Sequence, residues 1–322
     1  MNISTSTIRV NNHNNWPAVE LFPCEKMLVE RMARLNVQQI FLTATLTPSD
    51  GDEPFNAAVG HILDCLDSLP RRPDAAFDCL YKVIDQNLTP FERPNTSRII
   101  SAVDSLFEAE PAYWSAIVEL LSTNIPQQTA DYAAERILEC HIFSNPPHSN
   151  EMKKRAKRSI GTRRYDQLCR KFLVPNPQNA ALLELPYQKM RDAGLLLGKM
   201  FRQKAPLNRA KASTSTPGSL LDLSLQANVL SPREKLRVLM EICVATYRHE
   251  RFHGEAFSPF RSSKATLKTY AHAYYLLLVT YLVILGLLQQ QKKGGLSAAD
   301  IYSLAEQSVE RFRAFFCDVL NE

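Results

Sequence analysis

The sequence predicts an all-α protein, and three observations support that prediction. Glycine is scarce, with 10 Gly against 19 Pro in 322 residues, whereas sheets built from hairpins need glycine in their tight turns. Apolar residues recur at helical spacing from about residue 20 onward. Prolines such as Pro70, Pro90, Pro111 and Pro126 separate these runs, because proline cannot continue a helix.

The N-terminal part begins with a polar stretch, residues 1–20, that lacks the apolar core of a signal peptide and predicts a flexible arm. Residues 24–46 then follow a helical pattern, although their end, I-F-L-T-A-T-L, is also compatible with a strand. Further helices are predicted over 55–69, 74–86, 97–109, 112–122 and 129–141. The break S-N-P-P-H-S-N at 144–150 predicts the end of an N-terminal helical region that spans 21–145.

Positive charge is concentrated in the middle of the chain. Residues 1–150 hold 10 Lys/Arg and 19 Asp/Glu, a net −9, whereas residues 151–211 hold 16 and 4, a net +12. This pattern predicts a basic helical segment, residues 146–175, that binds a polyanion, most often the phosphate backbone of a nucleic acid. Neutralisation of the segment by the acidic N-terminal half is the alternative interpretation. The candidate RNA-binding residues are Lys153, Lys154, Arg155, Lys157, Arg158, Arg163 and Arg164.

The C-terminal region, residues 176–322, is predicted to form a helical bundle. A helix over 180–203 precedes a polar loop. The sequence S-P-R-E at 231–234 is a capping box with proline at the first helical position, and apolar residues on one face extend that helix to about residue 248. The sequence G-G-L-S-A-A-D at 294–300 predicts the end of one helix and the start of the last, which runs to about residue 320.

One stretch, residues 271–288, is apolar on every face. As a helix it would be about 27 Å long, which is short for a bilayer without thinning. It contains His272 and three tyrosines, and the sequence holds no second candidate span. The stretch therefore predicts the central helix of a bundle or a helix buried in a homodimer, with no membrane partner, and a membrane anchor is the remaining alternative.

The cysteines and the missing motifs limit the chemistry. Seven scattered cysteines without a C-x-x-C pair predict reduced thiols in a cytoplasmic protein. The sequence contains no G-x-S-x-G, no phosphate-binding G-x-x-x-x-G-K and no G-x-G-x-x-G, and its one H-E-x-x-H match, H-E-R-F-H at 249–253, lies in the segment that is interpreted below from its arginine and histidine. No metal or other cofactor is expected.

A candidate site remains in A-T-Y-R-H-E-R-F-H-G, residues 245–254, where four residues separate Arg248 from His253. This segment resembles the HEPN family of α-helical ribonucleases, whose hallmark is R-x4-6-H with a polar residue after the arginine. His249 occupies that polar position, Gly254 follows the histidine as it often does in the family, and a long apolar helix comes next. The resemblance covers residues 180–322.

The resemblance implies a HEPN-like bundle that cleaves single-stranded RNA by attack of the 2′-hydroxyl, without a metal. His253 would be the general acid/base, Arg248 would hold the scissile phosphate and His249 would orient the pair or bind RNA. The family also implies a homodimer, a toxin or antiviral role and a partner protein such as an antitoxin. The alternatives are a catalytically inactive RNA- or protein-binding module, and a purely structural role in which Arg248 and His249 complement the helix dipole.

Two further features bear on this interpretation. A second pair with the same spacing, Arg136 and His141, has apolar Ile137 after the arginine and lacks the glycine, so it is interpreted as coincidental. Residues 74–85, D-A-A-F-D-C-L-Y-K-V-I-D, are compatible with the first helix of the family, with the basic segment as an insertion. The sequence leaves open whether they join the C-terminal bundle or belong to a separate domain.

Overall fold

The computed structural model describes residues 4–49, 51–94, 96–139, 146–180, 182–202, 221–252 and 257–320, with the backbone alone for 146–149. Over these residues the protein is all-α, as the sequence predicts. The described part of the chain contains a single small sheet, in which strand β1 (Val174–Pro175) pairs antiparallel with β2 (Leu183–Glu184).

The helices follow one another along the chain with short connections. A π-helical segment, Val238–Val244, joins α11 to α12, so that the chain is helical from Pro232 to Phe252. The helices are α1 Thr5–Asn14, α2 Pro23–Leu35, α3 Glu53–Asp67, α4 Pro73–Asn87, α5 Arg98–Ala109, α6 Pro111–Thr123, α7 Gln127–Glu139, α8 Pro146–Ile160, α9 Thr162–Phe172, α10 Tyr187–Arg202, α11 Pro232–Arg237, α12 Ala245–Phe252, α13 Leu267–Gln290 and α14 Ala298–Phe316.

The chain divides into two compact units. The first unit comprises Met1–Thr89 together with Tyr247–Glu322, and the second comprises Pro90–Thr246. This division differs from the predicted regions 21–145, 146–175 and 176–322, whose two boundaries both lie inside the second unit. It agrees with the alternative in which residues 74–85 join the C-terminal helices, because α4 lies in the first unit.

Helix α13 forms the core of the first unit, where it packs against α2, α4 and α14. In the described residues it is the one helix long and apolar enough to cross a membrane, and every residue of its apolar window is buried within the protein. The sequence predicts a homodimer partly from the apolar surface of this helix. Because one chain already covers that surface, the argument for a dimer from α13 does not hold.

The N-terminal segments of the first unit differ from the predictions. Residues 5–14 form α1, capped by the Ser4 hydroxyl and anchored by buried Ile8, where a flexible arm is predicted. Helix α2 ends at Leu35, since Asn36 adopts a left-handed conformation with φ 51°. Residues 40–46, assigned either to this helix or to a strand by their pattern, are in neither. Ile40 and Phe41 are nevertheless buried, which explains the apolar signal.

The second unit is built around two helix contacts. Helix α11 and the π-helical segment pack against α5, α6 and α8. Helix α10 lies on α7, and Gly194 permits the close approach because a Cβ there would stand 2.9 Å from the Asp131 Cα. The predicted basic segment divides into α8 and α9, which are separated by Gly161 with φ 83°.

The helix ends in the C-terminal third agree with the sequence pattern. The Ser231 hydroxyl accepts from the Glu234 backbone N–H at 3.3 Å, and the Glu234 carboxylate accepts from the Ser231 N–H at 2.8 Å, which forms the predicted capping box. Ser297 and Asp300 form a second box at the start of α14. Helix α10 begins at Tyr187, later than the predicted residue 180, and α12 ends at Phe252 rather than near Arg248.

Candidate functional site

Arg248 lies on α12 within the first unit, against α4. Its guanidinium carbon stands 5.4 Å from the ring centroid of Tyr81 and 4.6 Å from that of Phe252, so the cation contacts two aromatic rings. The side chain remains 32% exposed. Its one carboxylate neighbour in the described residues, Asp85, is 3.8 Å away and more than half exposed, so the ion pair is loose. The Arg248 Nε atom is buried without a hydrogen-bond acceptor in the described structure.

Arg251, one helical turn further along α12, has a different environment. It is nine-tenths buried and donates to Asp78 at 2.8 Å and to Asp74 at 3.1 Å, while Asp74 also accepts from Arg72 at 2.9 Å. Burial alone would lower the pKa of Arg251, but the hydrogen bond that it donates to Asp78 and the charges of Asp74 and Asp78 outweigh burial and raise that pKa. This network fixes α12 on α4 and thereby positions the neighbouring Arg248.

Asp74 is the buried centre of that network and is fully inaccessible to solvent. Burial acts to raise the pKa of its carboxyl, but the hydrogen bond and charge of Arg72, with the charge of Arg251, hold the pKa below its usual value. Asp74 is therefore ionised at neutral pH. Its role is to hold two arginines, not to transfer protons.

A buried aromatic contact lies at the same helix end, where the Tyr247 ring is 5.8 Å from the Arg251 guanidinium carbon. The Tyr247 ring meets Phe77 edge-on at 4.9 Å and His272 of α13 at 5.8 Å. Burial lowers the pKa of His272 to about 4 and raises that of Tyr247, so both groups are neutral at pH 7. Because His272 is buried, it does not take part in surface chemistry.

The other motif residues are described only in part. His249 is partly exposed on α12 beside Arg248. His253 and Gly254 lie outside the described residues, so the distance from Arg248 to the predicted acid/base is not given by the structure. In the second pair, Arg136 forms an ion pair with Glu139 and lies 5.0 Å from the Tyr132 ring, and His141 also lies outside the described residues.

Two arginines of the basic segment are bound to groups inside the second unit. Arg155 donates to the Glu241 carboxylate at 3.2 Å and to its backbone carbonyl at 2.8 Å. Arg164 donates to Glu234 at 2.7 Å and to the Val229 carbonyl at 2.8 Å. These side chains hold α8 and α9 against α11 and the π-helical segment. They do not extend toward a ligand as RNA-binding groups would.

The remaining members of the segment are partly or fully exposed. Lys154 and Arg158 each lie 3.7 Å from Glu151, and Lys157 lies 3.5 Å from Asp166. Surface pairs of this kind are weak. Lys153 is partly exposed and Arg163 is exposed. The five together present positive charge at the surface of α8 and α9.

Several residues around Arg248 are absent from the sequence-based candidates. Asp74, Asp78, Tyr81 and Asp85 all lie within the segment 74–85 that the sequence singles out as a possible first helix, but their spacing shows only an amphipathic pattern. Arg251 lies inside the motif itself. The pairing across more than 160 residues of chain depends on tertiary packing, so no local signal reveals it.

In the described residues no group of three or more His, Cys, Asp or Glu side chains is placed to hold a metal ion. No protein-family model, curated protein or solved structure matches this chain. The interpretation of the site therefore depends on the motif and on the environment of Arg248.

Proposed function

We propose that the protein is a metal-independent endoribonuclease of the HEPN type that acts on single-stranded RNA in the cytoplasm. Its first unit would provide the HEPN-like bundle, with Arg248, His249 and His253 at the site. A toxin or antiviral role and a regulating partner protein belong to the same proposal, since the motif resemblance implies them.

The observation that supports this proposal most directly is the environment of Arg248. Two aromatic rings hold the guanidinium near the surface, and its one carboxylate neighbour in the described residues, Asp85, is loosely paired. A guanidinium with unused donors binds phosphate bidentately. An arginine with a purely structural role would resemble Arg251, which is buried between two aspartates.

The chemistry needs few groups, because RNA supplies its own nucleophile. A neutral imidazole removes the proton of the 2′-hydroxyl, the oxygen attacks phosphorus, and the 5′-oxygen leaves with a proton from an imidazolium. Arg248 would stabilise the charge that develops on the phosphate. The products are a 2′,3′-cyclic phosphate and a 5′-hydroxyl.

A homodimer completes the proposed site. One histidine from each copy would supply the base and the acid, with the two motifs facing each other near a two-fold axis. Light scattering should show a dimer under conditions where RNA is cleaved. A monomer that cleaves RNA under those conditions would exclude the composite site.

The decisive experiment is cleavage of single-stranded RNA in excess EDTA. We expect cyclic-phosphate products, and no cleavage of DNA or of RNA with 2′-O-methyl groups. Arg248→Ala should reduce the rate by at least about 100-fold, since it removes donors to a developing charge. His253→Ala should abolish the activity, while both variants keep the wild-type helicity.

Matched controls separate this site from other basic groups. Arg136→Ala removes the coincidental pair, and Arg313→Ala removes an exposed arginine of α14, so both should retain full activity. A requirement for magnesium, or loss of activity in Arg136→Ala but not in Arg248→Ala, would contradict the proposal. Binding of RNA without any shortening would favour the inactive binding module.

A further inference from the structure

A cleft in the first unit lies apart from the residues of the proposed active site. Its volume is about 600 Å³, and it is lined by α1, the segment that leads into α2, the turn between α3 and α4, and Arg261. Ligand sites for small molecules span roughly 300–1,000 Å³. The cleft contains none of Arg248, His249, Tyr81 or Asp85.

The charges of the cleft favour an anion. Arg9, Arg71 and Arg261 all line it, and in the described part of the chain no carboxylate lies within salt-bridge distance of any of them. Of the acidic residues that line it, Glu20 pairs with Lys26 at 2.8 Å and buried Glu25 accepts from the Phe22 backbone N–H at 2.9 Å.

Three arginines of the lining therefore stand against two carboxylates without a cationic partner, buried Glu25 and exposed Asp67. Arg72, which also lines the cleft, is neutralised by Asp74 at 2.9 Å. The cleft therefore has an excess of positive charge that its own residues do not satisfy. Clustered guanidinium groups in a concave site match the charge and geometry of phosphate.

Two of the arginines are held in position before any ligand binds. Arg9 donates to the Arg261 backbone carbonyl at 2.7 Å, and its guanidinium lies over the Phe257 ring at 5.1 Å. Arg261 lies over the buried Phe22 ring at 5.6 Å. Both contacts reduce the side-chain entropy that binding would cost. Arg71 has no side-chain partner in the described residues and is exposed.

An aromatic side chain completes the cleft. Trp16 lines it and is 76% exposed, although an indole of this size is usually well covered. Its segment is fixed to α1, because the Asn12 side chain bonds both the backbone N–H and the carbonyl of Glu20 at 2.8 Å. An exposed indole beside clustered arginines offers a stacking surface for a nucleobase.

We propose that this cleft binds a nucleotide, with the phosphates on Arg9, Arg71 and Arg261 and the base against Trp16. The same chemistry is offered by a free nucleotide and by the 5′-phosphorylated end of an RNA strand. Binding at this cleft does not depend on the proposed ribonuclease activity, since the two sites share no residue that the structure describes.

The fluorescence of Trp16 can report binding at the cleft. The chain has two tryptophans, and Trp114 is 3% exposed in the second unit, so Trp114→Phe leaves the fluorescence of Trp16 alone. Titration with ATP should quench that fluorescence saturably, and adenosine should give weak quenching. Where Trp114→Phe fails to fold, calorimetric titration of the wild-type chain with ATP replaces it.

The variants test the assignment of the phosphate site. Arg71→Ala and Arg261→Ala should each weaken ATP binding about tenfold, because each removes a charge-assisted hydrogen bond. Arg313→Ala, an exposed arginine of the same unit, should bind as the wild type does. Unchanged affinity in the first two variants, or equal affinity for adenosine and ATP, would overturn the proposal.

Two oligoribonucleotides distinguish the sources of the ligand. Competition by a 5′-phosphorylated strand but not by its 5′-hydroxyl counterpart would assign the cleft to RNA ends, and failure of both to compete would assign it to free nucleotides. No saturable response to ATP or to either strand would overturn the nucleotide site. Arg248→Ala should bind ATP as the wild type does, so the nucleotide site can be tested independently of the ribonuclease proposal.

Discussion

The basic segment of the second unit and the arginines of the first unit differ in how their charge is used. The segment is the most basic part of the sequence, yet Arg155 and Arg164 are bound to buried or partly buried glutamates. In the first unit, which includes much of the acidic N-terminal half, Arg9, Arg71 and Arg261 surround a cleft without carboxylate partners in the described residues. Charge density along a sequence therefore does not measure the charge available to a ligand.

The difference follows from the cost of burying a carboxylate. Glu241 is 2% exposed and lies on the π-helical segment, where an unpaired charge would be strongly unfavourable. A cation from α8 must accompany it. Part of the positive charge in the basic segment thus pairs with carboxylates inside the second unit, although Glu234 and Glu241 do not belong to the acidic N-terminal half that the alternative interpretation names.

The largest change in folding stability is expected for Arg155→Met, and Lys154→Met on the same helix is its control. Loss of Arg155 leaves Glu241 buried without its partner, which should lower the free energy of unfolding by about 3–5 kcal/mol. Lys154 is 70% exposed, and its removal should change stability by less than about 0.5 kcal/mol. Urea denaturation followed by the fluorescence of buried Trp114 measures both variants.

A second substitution identifies the cause. Glu241→Gln in the Arg155→Met background removes the buried charge, so it should restore at least about 1 kcal/mol of the lost stability. Equal destabilisation by Arg155→Met and Lys154→Met would show that the contact with Glu241 is not structural.

The next largest effect concerns the first unit, where His272 should make the folding stability depend on pH. Burial lowers the pKa of His272 from 6.5 to about 4, so the unfolded chain binds a proton in this interval and the folded chain does not. Stability should therefore fall as the pH decreases from 6.5 to 4, by up to about 3 kcal/mol from this group, and the contribution should level off below that. His272→Gln should show a shallower slope of unfolding free energy between these pH values. An identical slope in both proteins would contradict the burial of a neutral imidazole.

The smallest effect concerns the exposed members of the basic segment. If they contact RNA, Lys154→Glu and Arg163→Glu should each flatten the dependence of log affinity on log salt by about 0.9 or more, because each phosphate contact releases a counterion. Filter binding at salt concentrations from about 50 to 200 mM measures this slope, because the affinity for nucleic acid changes strongly over that range. A salt dependence unchanged from the wild type in both variants would show that this surface does not bind RNA.

The sequence by itself determined the all-α class and several helix ends. Scarce glycine, proline between the apolar runs and the boxes at Ser231 and Ser297 act locally, so they can be recognised without the fold. The motif that contains Arg248 is also visible in the sequence. Its wider surroundings are not, because Tyr81 and Asp85 approach Arg248 from a distant part of the chain.

Tertiary structure alone decided which charges are bound and which are available. Arg248 and Arg251 stand one turn apart in the same basic stretch, but α4 presents two aspartates to Arg251 and one exposed aspartate to Arg248. Packing likewise buried α13, whose sequence is compatible with the centre of a bundle, a dimer interface or a membrane anchor. The polar N-terminal stretch forms α1, with Ile8 buried against the rest of the unit. Residues of α1 then line one side of the cleft. Such outcomes depend on partners far apart in the sequence, and local patterns contain no information about them.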